Sequence, residues 1–111
     1  LAEGLDALHA AYGHLHWVHV LPNAATIAFA LAWGEGELGP SITAAVSAGW
    51  DTDSAGATVG SVVGALTGGS RLEARWPAPL RGRIATSLPG PGTRQVADLV
   101  TRTLALQEGA P

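Results

Sequence analysis

From Ser54 to Ser70 the chain carries no charged residue, and glycine recurs there at every fourth position: Gly56, Gly60, Gly64 and Gly68. Four residues is close to one helical turn, so on a helix these glycines share one face. Gly inside a helix costs about 1 kcal/mol relative to Ala. A sequence that keeps several of them is making a smooth face against which another helix packs closely. The same spacing occurs where membrane helices pair, but a span needs ~20 predominantly apolar residues. This run falls just short of that and includes Ser54, Thr58, Ser61, Thr67 and Ser70. The expectation is a central helix of a helical bundle, with no membrane segment.

The flanking segments also read as helices. Leu1, Leu5, Leu8 and Tyr12 form a helical stripe that Gly13 can end. His14 to Leu21 is a connection holding three of the four histidines. Pro22 and Asn23 open a second helix, closed by Gly34. Its Ile27, Phe29, Leu31 and Trp33 alternate with Ala28, Ala30 and Ala32, a period of two that also suits a strand. Ala is the best helix former and is depleted in strands, which decides for a helix, one buried nearly all round. After the turn at Gly34-Glu35-Gly36-Glu37, Pro40 sits at a plausible first helical position of a short helix running to about Ala48. Gly49 breaks it, and the glycine-bearing helix runs on to about Leu66. Trp76-Pro77-Ala78-Pro79 is a linker, followed by a short amphipathic piece from Leu80 to Leu88 and a Pro/Gly loop. A last helix, capped by Thr93, carries Val96, Leu99, Val100, Thr103 and Leu104 on one face, and Gly109 to Pro111 fray. The fold class is all-α, with five to six helices.

Composition narrows the function. With 111 residues there is room for one small domain. Hydrophobic residues make up 47% and charged residues 14%, against about 25% charged in average soluble domains. Such a chain is not disordered, and it is short of solvating surface, as a piece that packs against more protein would be. The net charge is -3, there is no Lys, and the Arg are scattered, so nucleic-acid binding is not indicated. Absence of Cys removes disulfides and thiolate chemistry and fits a reducing compartment, the cytoplasm.

The chemistry concentrates at Asp51-Thr52-Asp53-Ser54, at the mouth of the glycine-bearing helix. Two carboxylates and a hydroxyl are oxygen donors only, suited to hard cations such as Mg, Ca or Mn. Helix capping uses the same residue types and is the default reading of the spacing alone. Two unit charges ~4 Å apart repel by about 1 kcal/mol in water and about 4 at a partly buried site, while the helix dipole returns only ~0.3–1 kcal/mol per charge. A buried, convergent pair therefore needs a cation, whereas an exposed pair can point apart and cap.

The segment from Gly49 through Asp51-Thr52-Asp53-Ser54 to Leu66 resembles the C-terminal signature of the ADP-ribosylglycohydrolase family. That signature is a Gly, then Asp-Thr-Asp-Thr or Asp-Thr-Asp-Ser, then an Ala/Gly-rich helix. The run Pro22-Asn23-Ala24-Ala25 to Leu31, the acidic turn Gly34-Glu35-Gly36-Glu37 and Ala44-Ala45-Val46 match the family in kind and order, and the likeness covers roughly residues 16 to 90. The resemblance implies an all-α bundle around two magnesium ions and hydrolysis of the bond joining ADP-ribose to a protein side chain or another acceptor. It further implies a metal-activated water attacking the anomeric carbon through an oxocarbenium-like transition state. Carried over, Asp51, Asp53 and Ser54 are metal ligands, with Ser54 standing where many members have Thr. Trp50 stands where many have a second Gly. His19 falls in a loop on the substrate side.

The family's Thr-Asp-Asp cluster and an acidic residue implicated in catalysis have no match here, since the only acids before Asp51 are Glu3, Asp6, Glu35 and Glu37. The chain thus reads as the C-terminal part of a single ADP-ribosylglycohydrolase-like domain, inactive alone, with no catalytic residue assigned. Its partner would be an ADP-ribosylated protein or other ADP-ribose conjugate. The alternative is a silent, structural, crystallin-like member of the same family, and a third reading is a small helical binding module complete in itself. His14 and His16 lack a nearby carboxylate to complete a metal site. Acceptor identity and oligomeric state are not written in the sequence.

Overall fold

A computed structural model of the chain describes residues 1–108, so the expected fraying of Gly109 to Pro111 lies outside the described residues. Five α-helices dominate: α1 (Ala2–Tyr12), α2 (Val20–Gly34), α3 (Leu38–Ser47), α4 (Thr52–Thr67) and α5 (Val96–Glu108). Two three-residue strands, β1 (Arg83–Ala85) and β2 (Thr93–Gln95), complete the regular structure, with short 3-10 turns at Gly69–Arg71 and Ala78–Leu80. The fold is all-α, as the periodicity and the resemblance imply. Among the described residues no helix is long and apolar enough to cross a membrane.

Two compact units divide at Leu72–Glu73. The first holds α1 to α4, and its core consists of small residues: Ala30, Ala44, Ala45, Ala55, Val59 and Val63. The reason is close helix approach. A Cβ on Gly34 would lie 2.7 Å from the backbone N of Ser41, so α2 and α3 meet almost backbone to backbone there. Ser41 fits because its hydroxyl turns back to donate to the carbonyl of Glu37 at 2.7 Å, leaving no bare polar atom in the contact. α4 meets α3 less tightly, glycine against side chain: the position of a Cβ on Gly56 is 3.3 Å from Val46 Cγ2, and on Gly60 it is 3.4 Å from Ile42 Cδ1. Gly64 departs from this pattern, since a Cβ there meets nothing within 4 Å. The glycine face therefore works as a packing surface over its first two members.

α2 differs from the expectation that it is buried on nearly all sides. Its buried residues are Pro22, Thr26, Ala30 and Gly34, a single stripe at four-residue spacing. Ile27, Phe29 and Leu31 are half-buried against the core cluster. The helix also begins earlier than Pro22 suggests, at Val20, with Pro22 in the first turn. Proline is tolerated there because the first-turn N–H groups have no helical partner. α3 likewise begins at Leu38, two residues before Pro40.

The second unit departs from the sequence pattern as well. The piece from Leu80 to Leu88 supplies β1, which pairs antiparallel with β2 in the register Arg83 to Gln95, Ile84 to Arg94 and Ala85 to Thr93. Thr93, expected to cap the last helix, is instead a strand residue. The helix begins at Val96, whose N–H donates to the carbonyl of Gly82 at 2.8 Å. The loop between the strands is tied by Arg94, whose guanidinium donates to the carbonyl of Pro89 at 3.1 Å. No described residue from Glu73 onward is buried, so the core belongs to the first unit.

Candidate functional site

Asp51, Asp53 and Ser54 stand where α3 turns into α4. The turn needs Gly49, whose φ of 78° lies in the left-handed region that side chains disfavour. Ala48 before it is buried, and Trp50 after it is half-buried. The Thr52 N–H donates to the Trp50 carbonyl at 3.0 Å, and the Ala55 N–H closes the first turn of α4 on the Asp51 carbonyl at 2.9 Å.

Asp51 occupies the N-cap position of α4, yet its side chain makes no capping hydrogen bond. Its half-buried carboxylate accepts instead from Asn23 Nδ2, on α2, at 3.4 Å. Capping is thus not what holds this carboxylate. Asp53 and Ser54 follow in the first turn of α4, both exposed. Ser54 accepts through its carbonyl from Thr58 Oγ1 at 2.8 Å, and Ser61 Oγ donates likewise to Ala57. The Thr58 and Ser61 hydroxyls are therefore occupied by the backbone of α4, while the Ser54 hydroxyl lies at the open helix start.

The donor set suits a hard divalent cation: carboxylates and a hydroxyl at one helix end, with an amide, that of Asn23, hydrogen-bonded to Asp51. It is also short. Among the described residues no group of three or more His, Asp or Glu side chains gathers to hold a metal.

The histidines fall into separate roles. His19 is the N-cap of α2, and its Nδ1 accepts from the Leu21 N–H at 3.2 Å. One turn further along α2 comes Asn23, so His19 and the partner of Asp51 lie on the same side of that helix. His16 accepts similarly from the Val18 N–H at 3.4 Å, and its ring lies beside Trp17. His14 is exposed and joins neither.

Two residues that sequence reasoning did not single out stand next to the motif. Asn23 is one. The other is His9, on α1, whose Nε2 is 2.7 Å from the Ala48 carbonyl and whose ring centroid is 4.1 Å from that of Trp50. Neither gives a signal in the sequence. Asn23 reads as a helix opener and His9 as one polar residue of an amphipathic stripe.

The family model described as ADP-ribosylglycohydrolase matches residues 2–109, a longer reach than the likeness from 16 to 90 that the motifs carry. No curated protein and no solved structure matches the chain.

Proposed function

The chain belongs to the ADP-ribosylglycohydrolase family, a glycohydrolase-type enzyme family, and from that membership we propose that it supplies part of a magnesium site for hydrolysing ADP-ribose linkages. One observation carries the reading: the Asp51 carboxylate, placed where it could cap α4, makes no capping bond and turns to Asn23 beside Asp53 and Ser54. Asp51, Asp53 and Ser54 would hold the metal. Magnesium, when bound, supplies positive charge that acidifies water and holds hydroxyl oxygens.

The chain's own residues do the rest. The Asn23 amide fixes the Asp51 carboxylate, as hydrogen-bonded partners commonly orient metal ligands. His19, with Nδ1 engaged as an acceptor, carries its neutral-state proton on Nε2, at an exposed position. That N–H is free to donate to a substrate oxygen. The substrate class is an ADP-ribosylated protein or other ADP-ribose conjugate.

Replacing Asp53 tests this. In the full-length protein, Asp53→Ala removes a ligand and one of two neighbouring charges. Magnesium-dependent release of ADP-ribose falls to background while the helical circular-dichroism spectrum is retained. The dipole interaction lost at the start of α4 costs no more than about 1 kcal/mol. Turnover equal to that of the unsubstituted protein would remove Asp53 from the site.

A further inference from the structure

Trp50 is bracketed between the positive-φ Gly49 and Asp51, so the path of the chain into the acidic motif is set by whatever fixes Trp50 and Ala48. Both are held by one side chain from a distant part of the sequence. His9 reaches from the last turn of α1 to the Ala48 carbonyl, 39 residues away, and lays its ring on Trp50 at an interplanar angle of 31°. The Ala48 carbonyl accepts, so Nε2 is the donor. Ala48 is itself buried, which seats this end of the turn on the core. From the other side, the Asn23 amide holds Asp51.

We propose that His9 is a positioning residue for the acidic turn: by anchoring the Ala48 carbonyl and the Trp50 ring, it directs the Asp51 carboxylate outward to Asn23 and keeps it from folding back to cap α4. His9 touches neither metal nor substrate in this role. It acts through the two residues on which the direction of Asp51 depends. The proposal rests on the magnesium reading only for its functional consequence, since the aim of Asp51 is observable without metal. The two contacts are separable. His9→Gln keeps an N–H donor in about the place of Nε2 and loses the ring. His9→Phe keeps the ring and loses the donor. His9→Ala loses both.

The test uses the full-length protein, unsubstituted and as these three variants. Magnesium affinity is measured by calorimetry, the fold by thermal melting, and the nuclear Overhauser contact between the Asn23 side-chain amide and the Asp51 Hβ protons by NMR. His9→Ala is expected to weaken magnesium binding by roughly 10- to 100-fold, the usual effect of removing a residue that orients a ligand. It is also expected to abolish the Asn23–Asp51 contact. His9→Gln is expected to recover much of both at an unchanged melting temperature relative to His9→Ala, which a merely structural role would not produce. Unchanged affinity and an intact Asn23–Asp51 contact in His9→Ala would overturn the proposal, and so would a His9→Gln variant no better than His9→Ala. If the unsubstituted protein binds no magnesium, the metal reading fails. The Asn23–Asp51 contact then decides alone: lost in His9→Ala and regained in His9→Gln, it upholds the positioning role; retained in His9→Ala, it overturns it.

Discussion

Gly34 and Ser41 approach so closely that no side chain fits between them: a Cβ on Gly34 would stand 2.7 Å from both the backbone N and the Cβ of Ser41. The obstruction is partly backbone, so no rotamer change relieves it. Gly34→Ala is therefore expected to destabilise the protein by about 1–3 kcal/mol, the range for overpacking a tight contact. Urea denaturation checks this, and a stability equal to that of the unsubstituted protein would mean that α2 and α3 separate more easily than their packing indicates.

Gly64 should behave in the opposite way. It shares the helix face and spacing of Gly56 and Gly60, but a Cβ there meets open space. Gly64→Ala gains helix propensity without a clash and is expected to raise stability by roughly 0.5–1 kcal/mol. The same measurement on Gly60→Ala, where Ile42 Cδ1 lies 3.4 Å away, is expected to show a smaller gain or a loss. Equal gains at both positions would show that the glycine face carries no packing at all.

Thr26 is 1% exposed, and its hydroxyl has no hydrogen-bond partner among the described residues. Val has nearly the same shape without the polar atom. Leaving a buried hydroxyl unpaired costs on the order of 1–3 kcal/mol. Thr26→Val is thus expected to leave the melting temperature unchanged or raise it, whereas a clear fall would reveal a partner for the hydroxyl in solution.

Residues 1 to 111 in isolation are expected to bind magnesium weakly and to release no ADP-ribose. The motif offers the side-chain oxygens of Asp51, Asp53 and Ser54, while magnesium takes six in near-octahedral geometry. The isolated chain also exposes Trp17, Val20, Leu21 and Trp33, so it is expected to associate on a sizing column. Calorimetry showing micromolar magnesium affinity, or a compact monomer that turns over substrate, would count against this.

The helices were legible where punctuation was strong. Gly13, Gly34, Gly49 and Gly68 mark or adjoin the ends of α1 to α4: all four propagate a helix poorly, and Gly49 and Gly68 also take a positive φ. The hairpin was not legible. Arg83-Ile84-Ala85 is too short to display a period of two, and Thr93 belongs to a residue type equally at home at a helix cap and in a strand. Within the site, the spacing of Asp51, Asp53 and Ser54 alone reads as helix capping, and the metal reading comes from the resemblance of the motif and its flanks to the family signature. The neighbours of the motif could not be located, since Asn23 lies 28 residues from Asp51 and His9 lies 39 from Ala48. Contacts at that separation are products of helix packing, and nothing in the local pattern marks one polar residue of α1 or α2 as the one that reaches across. The exposure of α2 escapes the sequence pattern for a related reason: its small residues, Thr26, Ala30 and Gly34, are the fully buried ones.

Four of the six core residues, Ala30, Ala44, Ala45 and Ala55, have no χ angles to freeze or to exchange, and Val59 and Val63 have one each. Ordering this core removes little side-chain freedom, unlike a core of Leu or Met. It also leaves few rotamer jumps beneath the acidic turn on the picosecond-to-nanosecond scale. Displacement of the backbone that carries Asp51 then comes from the slower sliding of whole helices past one another. The alanines thus act as a filter on the motions that reach the backbone of the acidic turn from below, screening out fast side-chain noise and passing collective rearrangements of the helical frame.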